Sequence, residues 1–433
     1  MSKKKLIPEI RFPEFSENWD IISVSDMCDV YRGGTFSKAD MDENGSEPCI
    51  HYGELFTKYN EVIFAIHSKT NKSDGFKSKV GDILMPSSDV TPDGLAKASA
   101  IMLGNVVLGG DMNILRPKKS FVSIFLSYLL NHSKKEIIKL VSGTTVKHIY
   151  PSQIITCQLP IVNNKSEQQK IASCLSSLDE VIEAHSQKLD LLKAHKKGLM
   201  QNLFPQEGEK VPKYRFAEFK NDGSWIKEAV GDVYDFKVTN SFAREYLNYE
   251  VGSVKNIHYG DIHTKFNTLF DITKENVPYI NPDVTIEKIR KESYCNVGDI
   301  IFADASEDMN DVGKSIEIVN LNKEKLVSGL HTLLARQKKK KLAIGFGGYL
   351  FKSDWVRKQI QREAQGAKVL GISATRISNV QIIYPENQKE QQKIASCLSS
   401  IDELITAQAE KIEQLKLHKK GLMQGMFPKI IER

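Results

Sequence analysis

EQQKIASCLSSLDEVIEAHSQKLDLLKAHKKGLMQNLFP, residues 167–205, returns as EQQKIASCLSSIDELITAQAEKIEQLKLHKKGLMQGMFP at residues 390–428. Of the 39 aligned positions 27 are identical, with no gap, so the 433-residue chain carries an internal duplication. In the first copy apolar residues fall at Ile171, Leu175, Leu178, Ile182, Leu189, Leu192, Leu199 and Leu203. In the second they fall at Ile394, Leu398, Ile401, Ile405, Ile412, Leu415, Leu422 and Met426. Steps of four and three alternate, which lays one narrow apolar stripe along a coiled-coil helix. The steps that complete the stripe are polar: His185 and Lys196, then Gln408 and Lys419. Pro205 and Pro428 stop the two helices.

A helix of about 38 residues is roughly 55 Å long at 1.5 Å per residue. Alone it would leave its stripe in water, and the other copy is the cover already present in the chain. Chain order predicts an antiparallel pair, with the two globular heads at its opposite ends and a pseudo-twofold axis between them. Such a rod matches about 16 base pairs at ~3.4 Å each. It would let two heads read half-sites roughly one duplex turn apart.

The repeat extends into the heads as landmarks. Ile50-His-Tyr-Gly53 matches Ile257-His-Tyr-Gly260, and Val80-Gly-Asp-Ile-Leu84 matches Val297-Gly-Asp-Ile-Ile301. Arg11-Phe-Pro-Glu-Phe15 matches Arg215-Phe-Ala-Glu-Phe219, each followed by a tryptophan, Trp19 or Trp225. The expected architecture is α/β, two recognition heads and two long helices. Residues 1–165 form the first head, 166–205 the first helix, 206–388 a linker and the second head, and 389–433 the second helix and tail. Ile83–Met85 and Ile300–Phe302 read as buried strands, and Ser123–Leu130 and Gly348–Ile360 as helices. Pro160 has no aligned proline (Ile383 stands there and Pro385 follows), so the strand-to-helix connection is expected to differ between halves.

Composition is that of an ordinary folded protein, 41% hydrophobic and 26% charged, with a net charge of +6. Mild basicity permits nucleic-acid binding without requiring it. No apolar run is long enough for a membrane span, and the Met1-Ser-Lys-Lys-Lys start does not read as a leader. Six scattered cysteines without a C-x-x-C pair fit a reducing cytoplasm, and Cys174 and Cys397 read as small core residues.

Fixed helices with altered heads imply one docking role used twice and two different recognition roles. Candidate reading residues lie on loops at matched places. In the first head they are Ser87, Ser88, Asp89, Thr144, Thr145, Lys147 and His148; in the second, Asp304, Ser306, Lys368 and Arg376. Polar groups of this kind read base edges, while Lys and Arg hold phosphates. Lys338–Lys341 is either a solvated loop or a phosphate contact. Outward residues matched between the helices are docking candidates: Lys170, Lys197 and Gln201, with Lys393, Lys420 and Gln424. Catalytic motifs are missing. There is no N-P-P-Y or D-P-P-Y, and Val312-Gly-Lys-Ser315 lacks the first glycine of a phosphate loop. His258-x-x-Asp261-x-His263 suggests a metal, but Phe56 replaces the last histidine in the other copy, so a structural role is preferred.

Two divergent heads alternating with two near-identical helices resemble the specificity subunits of type I restriction–modification enzymes. The Glu-Gln-Gln-Lys-Ile-Ala helix starts, the Lys-Gly-Leu-Met-Gln ends and the Arg-Phe-x-Glu-Phe openings carry the resemblance. It implies heads that each bind one half of a bipartite, asymmetric double-stranded DNA target. It implies a helix pair that docks two modification subunits, adenine-N6 methyltransferases using S-adenosylmethionine. Two restriction subunits using ATP and Mg²⁺ would join them. The chain itself would hold no cofactor and catalyse nothing. Competing readings are a self-contained architectural DNA-binding protein, which binds specifically without partners, and an undetected nuclease or methyltransferase, which turns over alone.

Overall fold

The structure, a computed structural model, describes residues 6–73 and 75–429; the five residues weighed above as a possible leader lie outside them. It divides into two compact units, Met1–Ser186 with Glu410–Arg433, and Gln187–Ala409. Both long helices, Lys165–Leu203 and Gln388–Met426, are cut by this division. The compact units are therefore not the head and helix segments drawn along the sequence. Each head packs on the start of the helix that follows it and on the end of the other helix.

The first unit is built on a five-stranded sheet in the order Cys28–Arg32, Met112–Pro117, Asp82–Pro86, Ser99–Ile101, Val62–Ile63. The Asp82–Pro86 strand is buried along its whole length. Alternation sends Ile83 and Met85 into one core and Leu84 into another. The first core joins Trp19, Phe125 and Leu159 to Ile171 and Leu175 of the first long helix and to Met426 and Phe427 at the end of the second. The second core, with Ile50, Leu55, Leu108 and Ile114, lies towards a four-stranded sheet of short strands.

The second unit repeats the frame. Tyr234–Lys237, Thr332–Gln337, Ile300–Ala303, Ser315–Asn320 and Leu269–Asp271 form its five-stranded sheet. Ile300 and Phe302 join a core with Trp225, Phe346, Ile394 and Leu398, which also takes Leu203 and Phe204 from the end of the first long helix. Ile301 and Ala303 join the opposite core. In both units the Ile-His-Tyr strand runs parallel to its partner (107–108 or 326–328), but the other neighbours in the four-stranded sheet differ.

In each unit the beginning of one long helix thus lies beside the end of the other, the antiparallel arrangement of a coiled coil. All twenty residues assigned to the seam from spacing, polar steps included, are buried or half-buried. Removing such a stripe from water stabilises by roughly 25 cal/mol per Å² of apolar surface.

Two local expectations change. Gly348–Ile360 is not one helix: helices Phe346–Leu350 and Asp354–Glu363 are separated at Ser353, whose backbone is extended at the cap position. Ser353 donates its hydroxyl to the Leu350 carbonyl (2.7 Å), which closes the first turn instead of continuing it. Pro160 sits inside the strand Gln158–Ile161, opposite Ile21, and that strand pairs on one side only, so the missing N–H costs no ladder bond. The two strand-to-helix connections are alike. Gln168 donates to the Val162 carbonyl and Gln391 to the Pro385 carbonyl, both at 2.8 Å.

Candidate nucleic-acid interface

The Val-Gly-Asp repeat sets the frame of each head. Gly81 and Gly298 have φ of 89° and 90°, a conformation that admits glycine without strain. The following aspartates are buried and take bidentate bonds from the neighbouring strand, Asp82 from Arg116 (both 2.8 Å) and Asp299 from Arg336. The hydrogen bonds that Arg336 donates to Asp299 raise the Arg336 pKa, against the effect of burial.

Beyond each of these strands the loop pairs with a hairpin brought from far along the chain. Ser88–Asp89 lies antiparallel to Lys147–His148, and Ala305–Ser306 to Leu370–Gly371. The two groups of candidates in the first head, and Asp304, Ser306 and Lys368 in the second, are thereby collected on matched surfaces. Each hairpin is closed by a bridge, Ser142 to His148 or Gln365 to Gly371. Each also turns on a glycine at positive φ, Gly143 (100°) or Gly366 (133°). A Cβ there would lie 2.2 Å from the Val146 carbonyl oxygen or 2.0 Å from that of Val369, so only glycine fits. Thr144, Thr145 and Val146 at one tip, and Ala367, Lys368 and Val369 at the other, are exposed. The backbone is shared and the side chains differ.

Several candidates are placed otherwise than expected. Ser87, Ser88 and Ser306 are buried, at 2%, 8% and 8% exposure, so they shape the loop instead of offering outward hydroxyls. Asp89 accepts from Thr91 and the Val90 amide, a local turn. Lys147 donates to the Gly143 carbonyl, and His148 stacks on Tyr150 at 5.9 Å. Arg376 latches two helices through Glu363, bonding its carbonyl (2.8 Å) and carboxylate (3.2 Å). Lys338 and Lys341 are tied to Gly231 and Glu228, whereas Lys338, Lys339 and Lys340 are all exposed.

The Ile-His-Tyr-Gly turn borders the same surface. His51 Nδ1 accepts from the Gly53 amide and His258 Nδ1 from the Gly260 amide. Each ring lies against the next tyrosine, at 4.5 and 4.6 Å. Burial lowers the pKa of both histidines. Burial pushes the Asp261 carboxyl up, but bonds from Arg244 and Lys265 outweigh it and hold the group below its ordinary value. His263 Nε2 meets the Ala305 carbonyl. Arg244 bridges His258 and Asp261 while His263 turns to a backbone carbonyl, and no cluster suited to a metal occurs among the described residues.

Two residues on this surface escaped the sequence reading: Asp111, with φ 53°, and His331, with φ 55°. They occupy one structural position, immediately before the strands Met112–Pro117 and Thr332–Gln337. Each carbonyl accepts the amide that follows the Gly-Asp strand, from Ser87 (2.8 Å) or Asp304 (3.0 Å). The signal was the positive φ, which an Asp or a His does not announce in sequence.

The near-identical helix starts have an internal explanation. Arg11 grips Glu167 with two 2.8 Å bonds, and Arg215 grips Glu390 with two at 2.7 Å. Lys170 pairs with Glu14 and lies over the Phe12 ring; Lys393 pairs with Glu218 and lies over Phe216. The Arg-Phe-x-Glu-Phe opening thus clasps the Glu-Gln-Gln-Lys start in both units. Lys170 and Lys393, expected to face a partner, already have intramolecular ones. Lys197, Lys420 and Gln424 are exposed, and Gln201 reaches only Asp354, at 3.4 Å. The polar seam steps are used too. Lys196 reaches Asp402, which also accepts from Tyr349, while Lys419 bridges Asp179 and Glu61, with Tyr128 on Asp179. These pins fix helix register, the established use of a polar seam residue. The six cysteines are free, and Cys174 and Cys397 are half-buried at the edges of the cores rather than within them.

No helix of the described residues is long and apolar enough to cross a membrane. The comparisons agree with the architecture. The type I restriction enzyme MjaVIII specificity subunit of Methanocaldococcus jannaschii is 23% identical over 441 residues, covering 97% of this chain and 95% of that one. The crystal structure of a type I restriction-modification S subunit from M. genitalium superposes with a TM-score of 0.62 at 14% identity, covering 98% of this chain and 100% of the other. A chain from work on complex assembly and conformational transition of the type I R-M system gives 0.55 at 13% identity, covering 99% and 100%. The model of the type I restriction modification DNA specificity domain matches residues 16–194 and again 243–417. With one such domain in each half, the chain belongs to the family of type I restriction–modification specificity subunits, whose role is DNA recognition and not catalysis.

Proposed function

We propose that each head reads one half of a bipartite, asymmetric DNA target and that the helix pair sets the spacing between the halves. The observation that carries this is the matched hairpin: one backbone in both heads, with Thr144-Thr145 at one tip and Ala367-Lys368 at the other. A common frame with exchanged side chains is what reading two different sequences requires.

Two modification subunits dock on the helix pair, one for each repeat, and methylate adenine N6 with S-adenosylmethionine. Two restriction subunits join and use ATP and Mg²⁺ to cut DNA. These cofactors belong to the partners, and the assembly works in the cytoplasm. Gly198 and Gly421 support the docking. Gly421 is exposed and Gly198 half-buried, each inside a helix with nothing among the described residues within 4 Å of where a Cβ would stand. A glycine inside a helix costs roughly 1 kcal/mol relative to alanine. No described residue occupies the place of either Cβ, and close approach of another chain is the use these glycines support. Lys197 and Gln201, with Lys420 and Gln424, flank them.

The test is expression with the cognate modification subunit in a methylation-free host, followed by genome-wide mapping of N6-methyladenine. A split motif with one methylated adenine in each half is expected. A soluble complex that leaves the genome unmethylated, with a chain that binds a specific sequence unaided, would replace this reading with that of a self-contained DNA-binding protein.

A further inference from the structure

We propose that one position in each head, Asp111 in the first and His331 in the second, selects a single base pair of the half-site which that head reads. The proposal rests on the reading of the heads as DNA-recognition domains.

The first argument is conformational. A left-handed backbone costs an ordinary L residue on the order of 1–2 kcal/mol, and glycine escapes that cost. Glycines stand close by, Gly110 immediately before the position in one head and Gly329 two residues before it in the other. Yet the position itself holds Asp at φ 53° and His at φ 55°. Asp and His are among the side chains that tolerate this conformation best, and two heads that share little beyond landmarks both place one of them here instead of glycine.

The second argument is placement. The side chains of Asp111 and His331 are half exposed, at 50% and 51%. Asp111 lines a cleft of about 330 Å³ with Arg32, His51 and Tyr52. The His331 ring meets Tyr259 edge-on at 5.3 Å. Both positions are bonded through the backbone to the loop that pairs with the hairpin, so they lie on the surface described above.

The third argument is chemistry. A carboxylate is repelled by phosphates, so Asp111 can approach DNA favourably only at a base edge that donates. In the major groove those donors are the amino groups of cytosine and adenine. Its ion-pair partner, Arg32, is 4.0 Å away and exposed, a weak partner that leaves the carboxylate available. His331 Nδ1 is engaged by Asp304 at 3.1 Å, which fixes the ring and leaves Nε2 to meet a base. One position thus carries a carboxylate in one head and an imidazole in the other, on the same backbone.

The test uses the full chain in complex with its modification subunit and the same methylation map. Asp111→Gly and His331→Gly suit the backbone, so both variants should fold. Asp111→Gly should lower the preference at one base pair of the first half-site by about 10- to 100-fold and leave the second half-site unchanged. His331→Gly should do the reverse, and Asp111→Asn should shift the preferred base at the same pair. Unchanged motifs in both glycine variants, or a loss spread evenly over all positions, would overturn the proposal. A wild-type complex that methylates no split motif would defeat the DNA-reading role itself, and the proposal with it.

Discussion

At the junction of head and helix the two halves match group for group: Arg11 and Arg215 make the same fork, and Phe12 and Phe216 lie under the same lysine. At the outer rim of the sheets they share only a backbone, with Asp111 answered by His331 and Thr145 by Lys368. The contrast separates two causes of similarity. Residues that hold a head on its helix solve the same packing problem twice, so they coincide. Residues at the rim keep the shared backbone bonds, while their exposed side chains are free to differ. The contrast also divides the matched helix residues. Lys170 and Lys393 are explained from within the chain, whereas Gly198 and Gly421 are not.

The largest effect should come from breaking the clasp. Glu167 and Glu390 are 0% and 1% exposed, and truncating the arginine strands a buried carboxylate. Arg11→Ala and Arg215→Ala should each destabilise their unit by about 3–5 kcal/mol. Arg215 should cost more, because it also binds the carbonyls of Asp222 and Gly223, which Arg11 has no counterpart for among its bonds. Hydrogen exchange read separately over the two units measures this. Equal protection in wild type and both variants would mean that the clasp holds nothing.

A smaller effect distinguishes the cores. The strand register sets Glu317 opposite Ile300 and Ala100 opposite Ile83, so a buried carboxyl in the second unit stands where the first has a methyl group. Burial pushes Glu317 up to about 7, against the Gly345 and Gly348 amides that favour its charged form. Its folded pKa exceeds its unfolded one, so the native state holds the proton more tightly. The contribution is complete below about pH 4.5 and is lost as pH rises through about 7, on the order of 3 kcal/mol. Protection of the second unit should therefore fall relative to the first between pH 5 and 8, and Glu317→Gln should flatten that difference. The same slope in wild type and variant would refute the assignment.

The smallest effect tests the unexplained identity. Gly198→Ala and Gly421→Ala should each stabilise the isolated chain by up to about 1 kcal/mol, as chemical denaturation would show, while weakening capture of the modification subunit. Undiminished capture by a stabilised chain would remove the argument for close approach at these glycines.

The amino-acid sequence by itself determined the duplication, the two helices and their seam. Every residue from Ile171 to Leu203 and from Ile394 to Met426 that spacing assigned to the stripe is shielded from water. It also marked the strands that follow Val-Gly-Asp. These are local properties: periodicity along one helix, or a glycine turn before a buried run. Only the tertiary structure decided that Ser87 and Ser306 are buried, that Lys170 and Lys393 are engaged within the chain, and that Asp111 and His331 share one strained position. Those facts depend on partners tens to hundreds of residues away, as Arg11 is from Glu167, and spacing along the chain carries no record of such distances. The backbone angle of a single residue is likewise set by the strands it joins, and not by its own side chain.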